Sequence, residues 1–201
     1  MINFTKMHGL GNDFVVMNNI DGDISLSIDE IRKLSDRRFG VGFDQLLMVE
    51  SATSKKADFR YVIFNADGTE VGQCGNGARC FALYIQKKNL SYKNTLIVET
   101  NAGLLTLNIN SDNSVTVDMG DANFEPSKIP LNFDKESLVY LVEGYEVGSL
   151  SIGNPHAILI QDEINDIEQI ASKIQSSAVF PEGVNVGFMQ VINREEVKLR
   201  V

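Results

Sequence analysis

A basic excess is missing from this chain. Its 201 residues carry 27 acidic and 18 basic side chains, a formal net charge of −9. A phosphate-binding face needs clustered positive charge, so no nucleic-acid partner and no anionic membrane surface is expected. The two basic pairs, Arg37-Arg38 and Lys87-Lys88, are too short to form a stripe and read as solvated helix ends. Long apolar runs are also missing: none approaches the roughly 18 residues that a membrane-crossing helix needs. The first residues, Met1 to Lys6, lack the hydrophobic stretch of a secretory signal, which points to the cytoplasm. Proline is scarce, at four, whereas hydrophobic residues reach 43%, enough to offset chain entropy and exclude a disordered class. Cysteine and histidine are scarcer still, at two each. Two cysteines make no disulfide scaffold in a chain of this length, so Cys74 and Cys80 are expected reduced. They also stand too far apart, across a helix start, for the usual zinc spacing, and no metal is expected. No lysine stands where a cofactor Schiff base would form.

What is present is a mixture of many short strands and few helices. Residues 59–64, 96–100, 103–110 and 114–119 read as strands, the last two joined as a hairpin at Ser111-Asp112-Asn113. Ser27-Ile28-Asp29-Glu30 has the pattern of a capping box, with Ile31 and Leu34 following at helical spacing. Ala78 to Gln86 looks helical, opened by a glycine-rich turn over 72–77. Asp166 to Ser176 is a second amphipathic helix with Ile167, Ile170 and Ile174 on one face. Residues 121–130 read as a connection between two lobes.

The two lobes share an internal repeat. Gly11-Asn12-Asp13-Phe14 is echoed by Gly153-Asn154-Pro155-His156. Phe39, Gly42, Asp44 and Met48 are echoed by Phe180, Gly183, Asn185 and Met189, and a helix precedes the second element each time. Fixed-offset similarity marks a duplicated architecture. The counterpart of Cys74 at that offset falls past Val201, so the sequence reads as one and a half copies of a two-copy protein.

Cys74 is the sharpest chemical candidate. A helix start presents backbone N–H groups and positive potential, which would favour a thiolate. Gly75 and Gly77 would let the backbone approach a ligand. Cys80, inside the helix beside Phe81, reads as core. The amides Asn12, Gln45, Asn65, Asn76, Asn154 and Asn185 lie in glycine contexts or just past strands. Together they could bind the ammonium and carboxylate groups of an amino acid, although asparagine is also an ordinary turn former. His156 could tune a nearby thiol through its charge or serve a structural role.

Lys6-Met7-His8-Gly9-Leu10-Gly11-Asn12-Asp13-Phe14 resembles the opening signature of the diaminopimelate epimerase family. Phe64 to Glu70, running into Cys74-Gly75-Asn76-Gly77-Ala78-Arg79, resembles its first catalytic segment. Gly153 to His156 and Gly183 to Asn185 match its second-lobe elements. The resemblance implies an α+β fold of two pseudo-symmetric lobes, each a mixed β-sheet curled around a central helix. The first lobe would cover 1–120 and carry Cys74; the second, incomplete at Val201, would cover 121–201 and carry Asn154 and Asn185. It implies an isomerase that needs no cofactor and converts L,L- to meso-diaminopimelate for lysine and peptidoglycan precursors. Two cysteines would act from opposite faces of the α-carbon in a site between the lobes.

By the same resemblance, Cys74 is one of those thiols. Gly75 and Asn76 hold the α-carboxylate, while Asn12, Gln45, Asn65, Asn154 and Asn185 contact substrate. His156 sets the cysteine pKa values, and the full-length enzyme is a homodimer. The family's second thiol, in a Cys-Gly-Ser/Thr-Gly turn, is not in this sequence. The chain alone is therefore expected to be inactive, with exposed apolar surface on its second lobe. Three alternatives remain open: an amino-acid-binding fragment or module of the same fold, a carboxylate- or histidine-based isomerase like the phenazine-biosynthesis relatives, and a thiol redox protein using Cys74 and Cys80.

Overall fold

The computed structural model describes residues 2–201. These fall into two compact units, one ending at Met119 and one running from Gly120 to Val201. In the first, β1 (Thr5–Gly9) and β2 (Asn12–Asn18) form a hairpin. Helix α1 (Ile28–Ser35) carries the chain to β3 (Gln45–Ser51), parallel to β2. β4 (Phe59–Asn65) returns antiparallel to β3 and pairs with the short β5 (Glu70–Val71). Helix α2 (Gly75–Lys87) leads to β6 (Thr95–Thr100), β7 (Gly103–Ile109) and β8 (Val115–Asp118). The mixed sheet runs β1-β2-β3-β4-β6-β7-β8.

Strands β2 to β4 are almost wholly apolar because both faces of the sheet are covered. Phe14, Val16, Leu47, Val49, Tyr61 and Ile63 meet Ala78, Phe81, Ala82 and Ile85 of α2. The intervening Val15, Met17, Leu46, Met48 and Val62 face the other way, against Ile31 of α1 and Phe43. A one-residue slip would exchange the two faces, so this alternation pins the register. α1 begins as its sequence requires: Ser27 Oγ accepts the Glu30 N–H at 3.3 Å, and Glu30 Oε2 accepts the Ser27 N–H at 2.8 Å. Ser27→Ala should lower stability by about 1 kcal/mol in a denaturation midpoint. An unchanged midpoint would show that packing of Ile31 alone holds α1.

The second unit repeats this plan. β9 (Tyr140–Val142) pairs with β10 (Tyr145–Ser151), which makes a hairpin with β11 (Pro155–Ile160). Helix α3 (Ile167–Gln175) crosses to β12 (Asn185–Val191), parallel to β11, and β13 (Val197–Arg200) returns antiparallel. The succession β10-β11-α3-β12-β13 is thus that of β1-β2-α1-β3-β4. Ile170 and Ile174 of α3 pack on Ala157, Leu159, Val186 and Phe188, much as α1 packs on its own sheet. Among the described residues no helix lies on the opposite face, where Ile160 and Leu199 are 68% and 54% exposed.

Two details revise the sequence reading. β2 pairs Phe14 with Gln45 where β11 pairs His156 with Asn185, so Gln45, not Asp44, is the register counterpart of Asn185. Phe39 and Phe180, matched by sequence, have opposite environments: 92% against 2% exposed. The segment read as a connection is tied to the second unit, because Asn123 and Ser151 exchange two backbone hydrogen bonds of 2.8 Å.

Candidate active site

Parallel β2 and β3 start at one edge of the first sheet, and antiparallel β4 ends there. Asn12, Gln45 and Asn65 therefore come to the same edge, with Gln45 directly opposite Asn65. The start of α2 reaches that edge too: a Cβ on Gly9 would lie 3.2 Å from the Asn76 carbonyl oxygen. Cys74 is the N-cap of α2, and Gly75, Asn76 and Gly77 form the helix's first turn rather than a free loop. The Cys74 sulfur accepts the Gly77 N–H at 3.5 Å, and its own thiol lies 3.8 Å from Asn12 Oδ1. The Tyr61 hydroxyl donates to the Cys74 carbonyl at 3.2 Å.

The expected thiolate is corrected by burial. Loss of water pushes the Cys74 thiol above its ordinary range and outweighs the Gly77 and Asn76 N–H groups and the Arg79 charge, all of which pull the other way. Cys74 thus rests as a thiol near neutral pH. Its alkylation by iodoacetamide should titrate with a midpoint above the ordinary value of about 8.5. A midpoint near or below 7 would restore the thiolate expectation. Cys80 is 3% exposed among the core residues, and both sulfurs are free.

The glycines also differ from expectation. A Cβ on Gly77 would sit 2.2 Å from the Tyr61 hydroxyl, so Gly77 lets α2 lie on the sheet rather than admitting a ligand. Gly75 has more room, with Met119 Sδ at 3.4 Å.

The amides are locked in part. Gln45 Nε2 donates to Asn65 Oδ1 at 3.0 Å, and Asn65 Nδ2 donates to Thr69 Oγ1 at 3.3 Å. The other end of the Gln45 amide, Oε1, is buried with no donor in reach among the described residues. A buried acceptor without a donor is costly. Asn76 Oδ1 accepts from the Arg79 guanidinium.

A charged cluster that the sequence reading overlooked braces this edge. Arg37 pairs with Asp13 Oδ1 and Asp44 Oδ1, both at 2.7 Å, and Lys6 pairs with Asp13 Oδ2 at 2.7 Å. Arg37 is therefore no idle helix end. The Arg37 hydrogen bond, followed by that of Lys6, holds the Asp13 carboxyl well below the usual carboxylate range despite an opposing burial effect. A depressed folded pKa stabilises the fold above the unfolded value of about 3.9, and the gain is lost as pH falls toward the folded value. Asp13→Asn should consequently destabilise the protein at pH 7, and its deficit should shrink below about pH 4. A deficit constant down to pH 2 would remove the ion pairs from the account.

On the second unit, His156 Nε2 stands 3.0 Å from Asn154 Oδ1, and Asn185 Nδ2 donates to the Pro155 carbonyl at 3.2 Å. Burial pushes His156 below its ordinary value, so its ring is neutral at pH 7. A neutral ring carries no positive charge, and its Nε2 lies against the Asn154 amide. Among the described residues no cluster of His, Cys, Asp and Glu could hold a metal ion, and no helix is long and apolar enough to cross a membrane.

A family model described as diaminopimelate epimerase matches residues 4–125. The diaminopimelate epimerase of Vesicomyosocius okutanii is 50% identical over 203 residues, spanning all of this chain and 75% of that protein. That of Legionella pneumophila is 49% identical over 207 residues, with the same shares of 100% and 75%. Among solved structures, a hydroxyproline epimerase from Agrobacterium vitis matches the fold with a TM-score of 0.64 at 14% identity. That match covers 98% of this chain and 68% of the other. The sequence matches define an isomerase of the epimerase class, and the structural match shows its fold. Within that class, the chain belongs to the diaminopimelate epimerase family.

Proposed function

We propose that Cys74 is a proton carrier in the interconversion of L,L- and meso-diaminopimelate. The supporting observation is that Cys74, which is not part of the closed core as Cys80 is, stands at a helix start beside Asn12, with amides gathered at the same sheet edge. Inversion needs proton removal on one face of the α-carbon and delivery on the other. A thiolate takes the α-proton, and the electron pair left behind is delocalised into the bound carboxylate. A thiol on the other face then protonates the carbon, so thiol and thiolate exchange roles and no redox partner is consumed.

In this reading the first N–H groups of α2, at Gly75 and Asn76, hold the substrate α-carboxylate. Asn12, Gln45 and Asn65 contact substrate from the first unit, and the family resemblance assigns Asn154 and Asn185 to substrate as well. His156 supports Asn154 as a neutral ring. No cofactor enters the reaction. The chain has two cysteines, and Cys80 is packed in the core. We therefore assign these 201 residues one of the two proton carriers, and expect them to bind diaminopimelate without net inversion on their own. The test is protection: saturating diaminopimelate should slow iodoacetamide modification of Cys74 at least about tenfold. No protection at a concentration where calorimetry shows binding would place the ligand elsewhere.

A further inference from the structure

Asn12 has two ends, and its neighbours force which end goes where. Asp44 Oδ2 accepts from Asn12 Nδ2 at 3.2 Å and from the Asp13 N–H at 3.0 Å. Asp44 Oδ1 is ion-paired with Arg37, so this carboxylate offers only acceptors. The Asn12 amide must therefore present its NH₂ to Asp44. Its oxygen is left facing the Cys74 sulfur at 3.8 Å. An amide oxygen there accepts from a thiol but repels a thiolate, whereas a flipped amide would donate to the thiolate.

We infer that Asp44, clamped by Arg37, is a positioning residue that fixes the orientation of the Asn12 amide and thereby keeps Cys74 in its proton-bearing form. The inference rests on the proposed role of Cys74 and adds the device that readies it as a proton donor. The other groups acting on the sulfur are accounted for. Arg79 on α2 favours the thiolate, as do the Gly77 and Asn76 N–H groups. Tyr61 on β4 binds the Cys74 carbonyl rather than the sulfur, and Cys80 lies in the core of the unit. None of them dictates the Asn12 orientation.

Two variants at one position separate orientation from charge. Asp44→Ala and Asp44→Asn both remove one negative charge, but only Asp44→Asn keeps an oxygen that can accept from Asn12 Nδ2. Cys74 ionisation is followed by thiolate absorbance and by pH-dependent alkylation, with modification mapped to Cys74 by mass. Circular dichroism confirms folding of each variant. Asp44→Ala should lower the ionisation midpoint by about one pH unit, a tenfold rise in thiolate at a fixed pH below the midpoint. Asp44→Asn should keep most of the original midpoint. Equal shifts in the two variants, or none in either, overturn the inference. No substrate is involved, so a shift in the thiol without any effect of diaminopimelate would count against the enzymatic reading alone. If only Asp44→Asn folds, a downward shift of a full unit in that variant equally overturns it.

Discussion

Cys74→Ser should cut exchange of the diaminopimelate α-proton with solvent at least about 100-fold, the usual span for losing a proton-transferring group. The exchange of wild-type protein should rise with pH through the ionisation of Cys74, because only the thiolate can abstract the proton. Its burial places that rise on the alkaline side of an ordinary cysteine. Diaminopimelate binding, followed by calorimetry, should survive the substitution within about threefold, since serine keeps the cap on α2. Exchange that persists in Cys74→Ser would pass the role to another group and revive a carboxylate mechanism of the phenazine-biosynthesis type.

Gly77→Ala should destabilise the first unit by about 1–3 kcal/mol, a fall in Tm of roughly 3–10 °C. The sign runs against helix propensity, which favours alanine over glycine by about 1 kcal/mol inside a helix. Here the added methyl would stand 2.2 Å from Tyr61 Oη, 3.3 Å from Leu47 Cδ2 and 3.4 Å from Phe14 Cε1. All three neighbours are at most 2% exposed, so none has room to retreat. Tyr61 also holds the Cys74 carbonyl, and the strain should reach the thiol as a changed alkylation rate. Gly75→Ala meets only Met119, with Sδ at 3.4 Å and Cε at 3.8 Å, and should be close to neutral in stability. A rise in Tm for Gly77→Ala would mean that α2 sits further from the sheet than described.

Much of the fold was legible because its signals are local. The apolar run in residues 59–64, the alternation in 103–110 and the Ser27–Glu30 pair depend on neighbours within a few positions, and the strands and cap form where those patterns lie. The repeat was legible as well, but only the ladders could align it, since the loops between Asn12 and Gln45 and between Asn154 and Asn185 differ in length. Burial was less visible. Nothing in a Cys-Gly-Asn-Gly pattern reports how much water reaches the sulfur, so the helix-start effect was expected to dominate and does not. The bracing of Asn12 was hidden for another reason. Asp13, Arg37 and Asp44 are drawn together by the parallel pairing of β2 and β3, and a lone Arg-Arg pair gives no hint of two carboxylates around it.

The central claim is that Cys74 carries the α-proton. Its most direct test is proton NMR of L,L- and of meso-diaminopimelate, each with this chain in deuterated buffer between pH 7 and 10, since one thiol reaches the α-proton of only one configuration. The account predicts slow loss of the α-proton signal of that configuration, faster as pH rises, abolished by Cys74→Ser and unaffected by Cys80→Ala, with little net inversion. Saturable binding with no exchange at any pH would contradict it and leave an amino-acid-binding module of the same fold.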